Sequence, residues 1–170
     1  LAREQVDVVG LQEVSRWATA PVSPEGTLGP EELLADFLPT LLEALTAAGT
    51  PYDVHAVNRS FAGGLPVDGS WMSGDGANAT LVRQGGRFAV TAERTGSFEA
   101  RHAVRTGIDG VTFPIVRSWG VVEGSVDGSR VVVANTHTEA YDAATRDAQR
   151  DELVALLAAP AGPVVVLGDF

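Results

Sequence analysis

Apolar and polar positions change period several times along the chain, and each change marks an element. VDVVGLQE (6–13) is a short apolar run rich in β-branched residues, the pattern of a central strand. In PEELLADFLPTLLEALTAAG the apolar residues at 34, 37, 38, 41, 42 and 45 have helical spacing. Pro39 interrupts that helix and predicts a kink or a fresh start, and Gly49 is placed to end it. YDVHAVN (52–58) alternates as a strand does, and ATLVR and FAVTAERT predict two more. SWGVVEGSVDGSRVVVANTH predicts a hairpin turned on Asp127-Gly128. DAATRDAQRDELVALLAAP predicts a helix with Asp142 as its N-cap and Pro160 just past its end. GPVVVLGD is a closing strand whose apolar run reads as buried. Residues 17–30, with their prolines and glycines, predict a loop. The glycine-rich stretch 62–78 predicts a long one, of the kind that is functional or mobile.

Strands with interspersed helices and one hairpin suggest a mixed sheet in an α/β sandwich, and no composition shift divides residues 1–170 into more than one domain. With 45% hydrophobic and 20% charged residues, the chain has the make-up of a globular domain rather than a disordered one. No apolar stretch approaches the ~18 residues of a membrane span. Cysteine is absent, which excludes disulfides, Cys-ligated zinc and a thiol nucleophile and leaves either redox compartment open. Twelve basic against 22 acidic residues give a net charge of −10, which opposes non-specific binding to nucleic acid. It does not oppose a phosphate ester bound through a divalent metal, because the cation supplies positive charge.

Three apolar runs end in residues that can do chemistry: VDVVGLQE in Glu13, RVVVANTH in His137 and PVVVLGD in Asp169. Ligands of open α/β sheets bind outside the strand C-termini. Strict alternation would put Val9, Leu11 and Glu13 on one face, as it would Val133, Asn135 and His137, and Val165, Leu167 and Asp169. Two carboxylates and an imidazole at such tips suit metal-assisted hydrolysis. A hard cation such as Mg²⁺ is held by one or two carboxylates plus substrate phosphate, while Asp and His orient or deprotonate a water. The ordinary alternative is that each strand ends in a polar residue where it reaches solvent.

VVGLQEV, VVVANTHTEA with the following RDAQRDEL, and VVVLGDF resemble successive motifs of the endonuclease/exonuclease/phosphatase superfamily, in that superfamily's order. YDVHAVNRSFAGGLP is similar to a bacterial subgroup whose substrate is not assigned. The resemblance implies a DNase I-like fold, a four-layer α/β sandwich with two packed mixed β-sheets. It also implies cleavage of phosphoester bonds with Mg²⁺, or with Mn²⁺ or Ca²⁺ in its place. Substrates of that class are small molecules, lipid head groups or nucleic acids. By the same resemblance Glu13 is the metal-binding Glu, His137 binds or polarises the scissile phosphate, and Asp169 orients or activates the attacking water. Asn135 belongs to the NTH motif and doubles as a structural hydrogen-bonder, and Gln12 supports the site. The family's opening Asn strand, the Asn expected directly after Phe170 and the closing SDH motif lie outside the sequence. The chain therefore reads as an internal piece lacking both ends, with little activity expected of it alone.

Several other residues have a functional and an ordinary reading. Asp75 and Asn78 flank ATLVR as candidates to reach the cleft, and Arg117 precedes the SWGVVEG hairpin strand as a candidate phosphate contact. Trp17, Trp71 and Trp119 are candidate base-stacking groups whose ordinary role is packing. His55 and His102 read as structural or surface residues. Glu139 and Asp142, just beyond His137, are candidates to orient its imidazole and read by default as solvated loop charges, and Arg146 and Gln149 read as helix-surface or helix–sheet contacts. A non-catalytic binding module of the same fold is the rival reading. A phosphoaspartate enzyme or receiver-like domain is a weaker one, because it needs an Asp where this chain has Glu13.

Overall fold

The computed structural model describes residues 1–105, 112–158 and 162–170. Strands β1 (Val8–Pro21), β2 (Glu32–Asp36), β3 (Tyr52–Val67) and β4 (Ser70–Arg83) form a first sheet in the order β2-β1-β4-β3, each neighbouring pair antiparallel. Strand β5 (Phe88–Ser97) is followed by a separate ribbon of β6 (His102–Arg105) and β7 (Thr112–Ile115). With β8 (Ser118–Val126), β9 (Ser129–His137) and β10 (Val164–Asp169), β5 forms a second sheet in the order β10-β9-β8-β5. This sheet is mixed because β10 runs parallel to β9. Helix α1 (Phe37–Ala47) precedes β3 and helix α2 (Ala143–Leu157) precedes β10. Among the described residues no helix is long and apolar enough to cross a membrane.

Alternation along the strands sorts the apolar residues into three layers of contact. Leu81 of β4 packs with Leu45 and Tyr52 beneath α1, joined by Val9, Leu11, Leu38, Leu41 and Leu42. Val82, one residue on, points the other way and packs with Ala56, Phe88, Val122 and Val133 between the sheets. Val121, Val132 and Ala134 face outward again, against Leu156 and Leu157 of α2. The resulting order, helix, sheet, sheet, helix, is the four-layer α/β sandwich of the DNase I-like fold. Gly10 lets the two sheets approach closely, since a Cβ there would lie 2.8 Å from both Asn135 Oδ1 and Leu167 Cβ.

Local signals hold where the chemistry is local. Asp142 caps α2, its carboxylate accepting from the Thr145 N–H at 2.7 Å. Beyond α1, Gly49 at φ +74 donates to the Thr46 carbonyl while Thr50 donates to the Leu45 carbonyl, closing the helix as a Schellman motif. Asp127 and Gly128, at φ +50 and +81, make the two-residue turn of the β8–β9 hairpin.

Other expectations are corrected. Residues 17–21 continue β1 rather than opening a loop, and residues 32–36 form β2 rather than helix. Pairing with β1, from Arg16↔Asp36 to Thr19↔Glu32, uses the backbone of 32–36 in a ladder and outweighs its apolar spacing. The helix instead starts at Phe37, which puts Pro39 in its first turn, where no N–H is needed. The expected 62–78 loop is the β3–β4 hairpin, turned on Asp68-Gly69 at φ +47 and +78, the same dipeptide chemistry as the other hairpin. The closing strand β10 is an edge rather than a buried strand, with Val165 45% exposed, because among the described residues it pairs on one side only. Pro160 lies outside the described residues.

Candidate active site

Glu13 reaches the space between the sheets through a β-bulge. Leu11 pairs with Ala79 and Val14 with Ala77, so Gln12 and Glu13 together oppose Asn78. Glu13 takes φ +56, a left-handed conformation uncommon outside glycine. The Ser15 hydroxyl braces it by donating to the Glu13 carbonyl at 3.1 Å. A bulge puts two consecutive side chains on one face and resets the alternation beyond it. Val9 and Leu11 accordingly face α1, while Gln12 and Glu13 face the second sheet. Glu13 therefore does not share a face with Val9 and Leu11, contrary to what strict alternation predicts.

Across the interface stands β9. Gln12 Nε2 donates to Asn135 Oδ1 at 2.6 Å, and Asn135 Nδ2 donates to the carbonyls of Leu11 at 3.2 Å and Ala79 at 3.0 Å. Fully buried, Asn135 ties β9 to β1 and β4 through every polar atom of its side chain. Two residues on, His137 Nε2 lies 3.3 Å from Glu13 Oε1. Its Nδ1 lies 3.4 Å from the Asp169 carbonyl, which also accepts from the Thr138 N–H at 2.9 Å. Both neighbours of the ring are oxygen acceptors. The imidazole is nearly buried while the Glu13 side chain is 76% exposed. Asp169 pairs with His137 in the parallel register, one alternation beyond Leu167, which packs in the inter-sheet core. That register turns the Asp169 side chain toward the face that carries His137.

The remaining candidates divide. Asn78 is fully buried opposite the bulge, its Nδ2 donating to Asn58 Oδ1 at 3.1 Å. Its Oδ1 has no hydrogen-bond partner among the described residues. Asp75 lies on the outer face of β4, 4.0 Å from Arg59 Nη1 and away from Glu13. Arg117, immediately before β8, is buried with Nε 3.6 Å from Glu139 Oε2. Glu139 is fully buried, not a solvated loop charge. Its N–H donates to Gln149 Oε1, whose amide reaches the Ala100 carbonyl, and its own carbonyl accepts from Arg146 Nη1. This network anchors the segment after His137 to α2. The Thr145 hydroxyl and N–H hold the Asp142 carboxyl below its ordinary range.

Sequence reasoning missed Asn58 and Ser118. The Ser118 hydroxyl donates to Asn58 Oδ1 at 2.5 Å, joining β8 to β3 directly behind Asn78. The available signal is a polar residue on a strand face otherwise given to the core.

Residues 1–170 match the endonuclease/exonuclease/phosphatase family from end to end. The chain belongs to that family. Members of the endonuclease/exonuclease/phosphatase family are in general phosphoester-cleaving enzymes dependent on divalent metals. Among solved structures, the chain is similar to an endonuclease/exonuclease/phosphatase family protein from Leptotrichia buccalis C-1013-b. That likeness has 17% identity and TM-score 0.61, covering 99% of this chain and 56% of that one. It is also similar to an endonuclease/exonuclease/phosphatase from Beutenbergia cavernae DSM 12333, with 24% identity and TM-score 0.53, covering 97% of this chain and 38% of that one. At these identities the likeness is one of fold. The chain spans about half or less of the length of these two structures. No curated protein matches it.

Proposed function

We propose that the protein hydrolyses phosphoesters at the cluster of Glu13, His137 and Asp169. The observation that carries this reading is the Glu13–His137 contact at 3.3 Å, at the strand end where Asp169 pairs with His137. Among the described residues no three acidic or histidine side chains form a ready-made metal cage. An exposed carboxylate at the rim nonetheless fits a Mg²⁺ ion, which is commonly held by one or two carboxylates with the substrate phosphate completing its shell. Glu13 would hold the cation, which when bound supplies positive charge to the phosphoryl oxygens.

The chain's own residues do the rest. His137 donates from its ring to a non-bridging phosphoryl oxygen and stabilises the negative charge that builds there. Asp169 accepts the proton of the attacking water as the new P–O bond forms and the bond to the leaving oxygen breaks. Asn135 and Gln12 hold the bulge, and with it Glu13, in register with β9. The test is turnover of bis(p-nitrophenyl) phosphate and p-nitrophenyl phosphate by the full-length protein, with Mg²⁺ and after chelation. Turnover of either ester that disappears with EDTA and returns with Mg²⁺ is expected. Absence of turnover under every metal would leave the binding-module reading in its place.

A further inference from the structure

The face of the first sheet that carries Glu13 continues outward past the bulge, and it becomes aromatic. β4 has no bulge of its own, so Val82, Thr80, Asn78, Gly76 and Gly74 lie along one face. Trp17 pairs with Gly74 across β1, and Phe61 pairs with Gly76 across β3. Both rings lie down on those glycines. A Cβ on Gly74 would sit 2.5 Å from Trp17 Cζ3, and one on Gly76 would sit 2.8 Å from Phe61 Cδ1. Glycine weakens a strand interior and recurs where something approaches the backbone closely. Here two alternate glycines make a floor for two rings. The ring centroids are 6.0 Å apart, inclined at 48°, and both residues keep part of their surface open.

Position and charge make this more than packing. Ser15, which braces the Glu13 carbonyl, pairs with Gly76, so a single residue links the bulge to the aromatic pair. Gly76, beneath Phe61, is two residues from Asn78, which opposes Glu13, and Gly74, beneath Trp17, is four, distances of about 7 and 14 Å along the strand. The nearer distance is the reach of one sugar between a phosphate and its base, and a base resting there extends over the neighbouring ring, whose centroid is 6.0 Å away. Arg16 and Arg59, from the same stretch of sheet, sit on the opposite face with Glu31 and Asp75. The aromatic side thus offers ring surface rather than cations, in a chain of net charge −10.

We propose that Trp17 and Phe61 form a platform for a flat aromatic or heteroaromatic group carried on the substrate phosphate, such as a nucleobase one sugar away. The assignment rests on the hydrolase reading for its phosphate end. Two p-nitrophenyl esters sharing a leaving group separate the effects in the full-length protein: that of adenosine 5′-monophosphate and that of methyl phosphate. Trp17→Ala is expected to lower the ratio of kcat/KM for the adenosine ester over the methyl ester about tenfold or more, chiefly through KM, while Trp17→Phe restores most of it. An unchanged ratio in Trp17→Ala overturns the platform while leaving the hydrolase intact. If neither ester turns over, the hydrolase reading fails and binding alone decides. In a Trp71→Phe, Trp119→Phe background, adenosine 5′-monophosphate is expected to quench the Trp17 fluorescence saturably and ribose 5-phosphate is not. Equal quenching by both, or by neither, overturns the platform.

Discussion

Glu13 Oε1 and His137 Nε2 lie 3.3 Å apart although 124 positions separate them in the chain. Neither strand brings them together by length alone. β1 gains the contact through its bulge, and β9 by ending where the bulge opens. On the proposed reading His137 touches the phosphoryl group, so His137→Asn is expected to lower phosphoester turnover about 10²–10³-fold, as loss of one preorganised donor does. Steady-state assay of the full-length protein checks this. A variant that keeps its thermal midpoint and loses less than a few-fold in rate removes His137 from the chemistry.

The left-handed backbone at Glu13 carries a stability cost of about 1–2 kcal/mol for an L-residue. Asn tolerates that conformation better. Glu13→Asn is therefore expected to raise the thermal midpoint by a few degrees while lowering metal-dependent turnover. Differential scanning calorimetry beside the activity assay tests both halves; a lower midpoint contradicts the strain argument.

Asn135 donates twice, to Leu11 and Ala79, and accepts once, from Gln12. Asn135→Asp keeps the shape but turns an acceptor toward two carbonyl oxygens. A destabilisation of about 2–4 kcal/mol is expected, combining unsatisfied buried groups with a poorly paired charge. Urea unfolding of the two proteins measures it, and a change under 1 kcal/mol would contradict the bridging role.

Asp7 accepts from the Arg87 N–H and from the Arg83 and Arg87 side chains, and these contacts hold its carboxyl below the ordinary range, the Arg87 N–H contributing most. A depressed folded-state value gives stability that is present above the unfolded value near 3.8 and lost as pH falls through the lower folded value. Unfolding midpoints should therefore drop on acidification below about pH 4, and Asp7→Asn should flatten that limb. Parallel acid limbs in the two proteins would exclude Asp7 as a source of the drop.

Gly10 stands between β1, Asn135 and Leu167 with room for no Cβ. Gly10→Ala is expected to cost about 1–3 kcal/mol through overpacking, and to loosen the Gln12–Asn135 bond that sets the bulge. A chemical-denaturation series reads the stability change, and unaltered stability would show that the sheets separate freely.

Much of the molecule follows from short-range chemistry. The Asp142 cap, the Gly49 helix end and the Asp127-Gly128 turn each need a few neighbouring residues, and each is where the pattern predicts. His137 and Asp169 were legible as strand tips, because an apolar run that ends in a titratable residue carries its own signal, whereas Glu13, expected at a tip, lies inside β1 at its bulge. Three features were decided by tertiary structure. Residues 62–78 form strands because aromatic rings from β1 and β3 cover Gly74 and Gly76, a contact no local window contains. Arg117 is buried because Glu139, 22 positions later, meets it with Nε and Oε2 3.6 Å apart. Glu13 faces His137 because a bulge against Asn78 shifts the side-chain period by one. Periodicity tells which residues share a face only while the ladder is regular. Where the ladder slips, the face is chosen by what the opposing sheet can pair with.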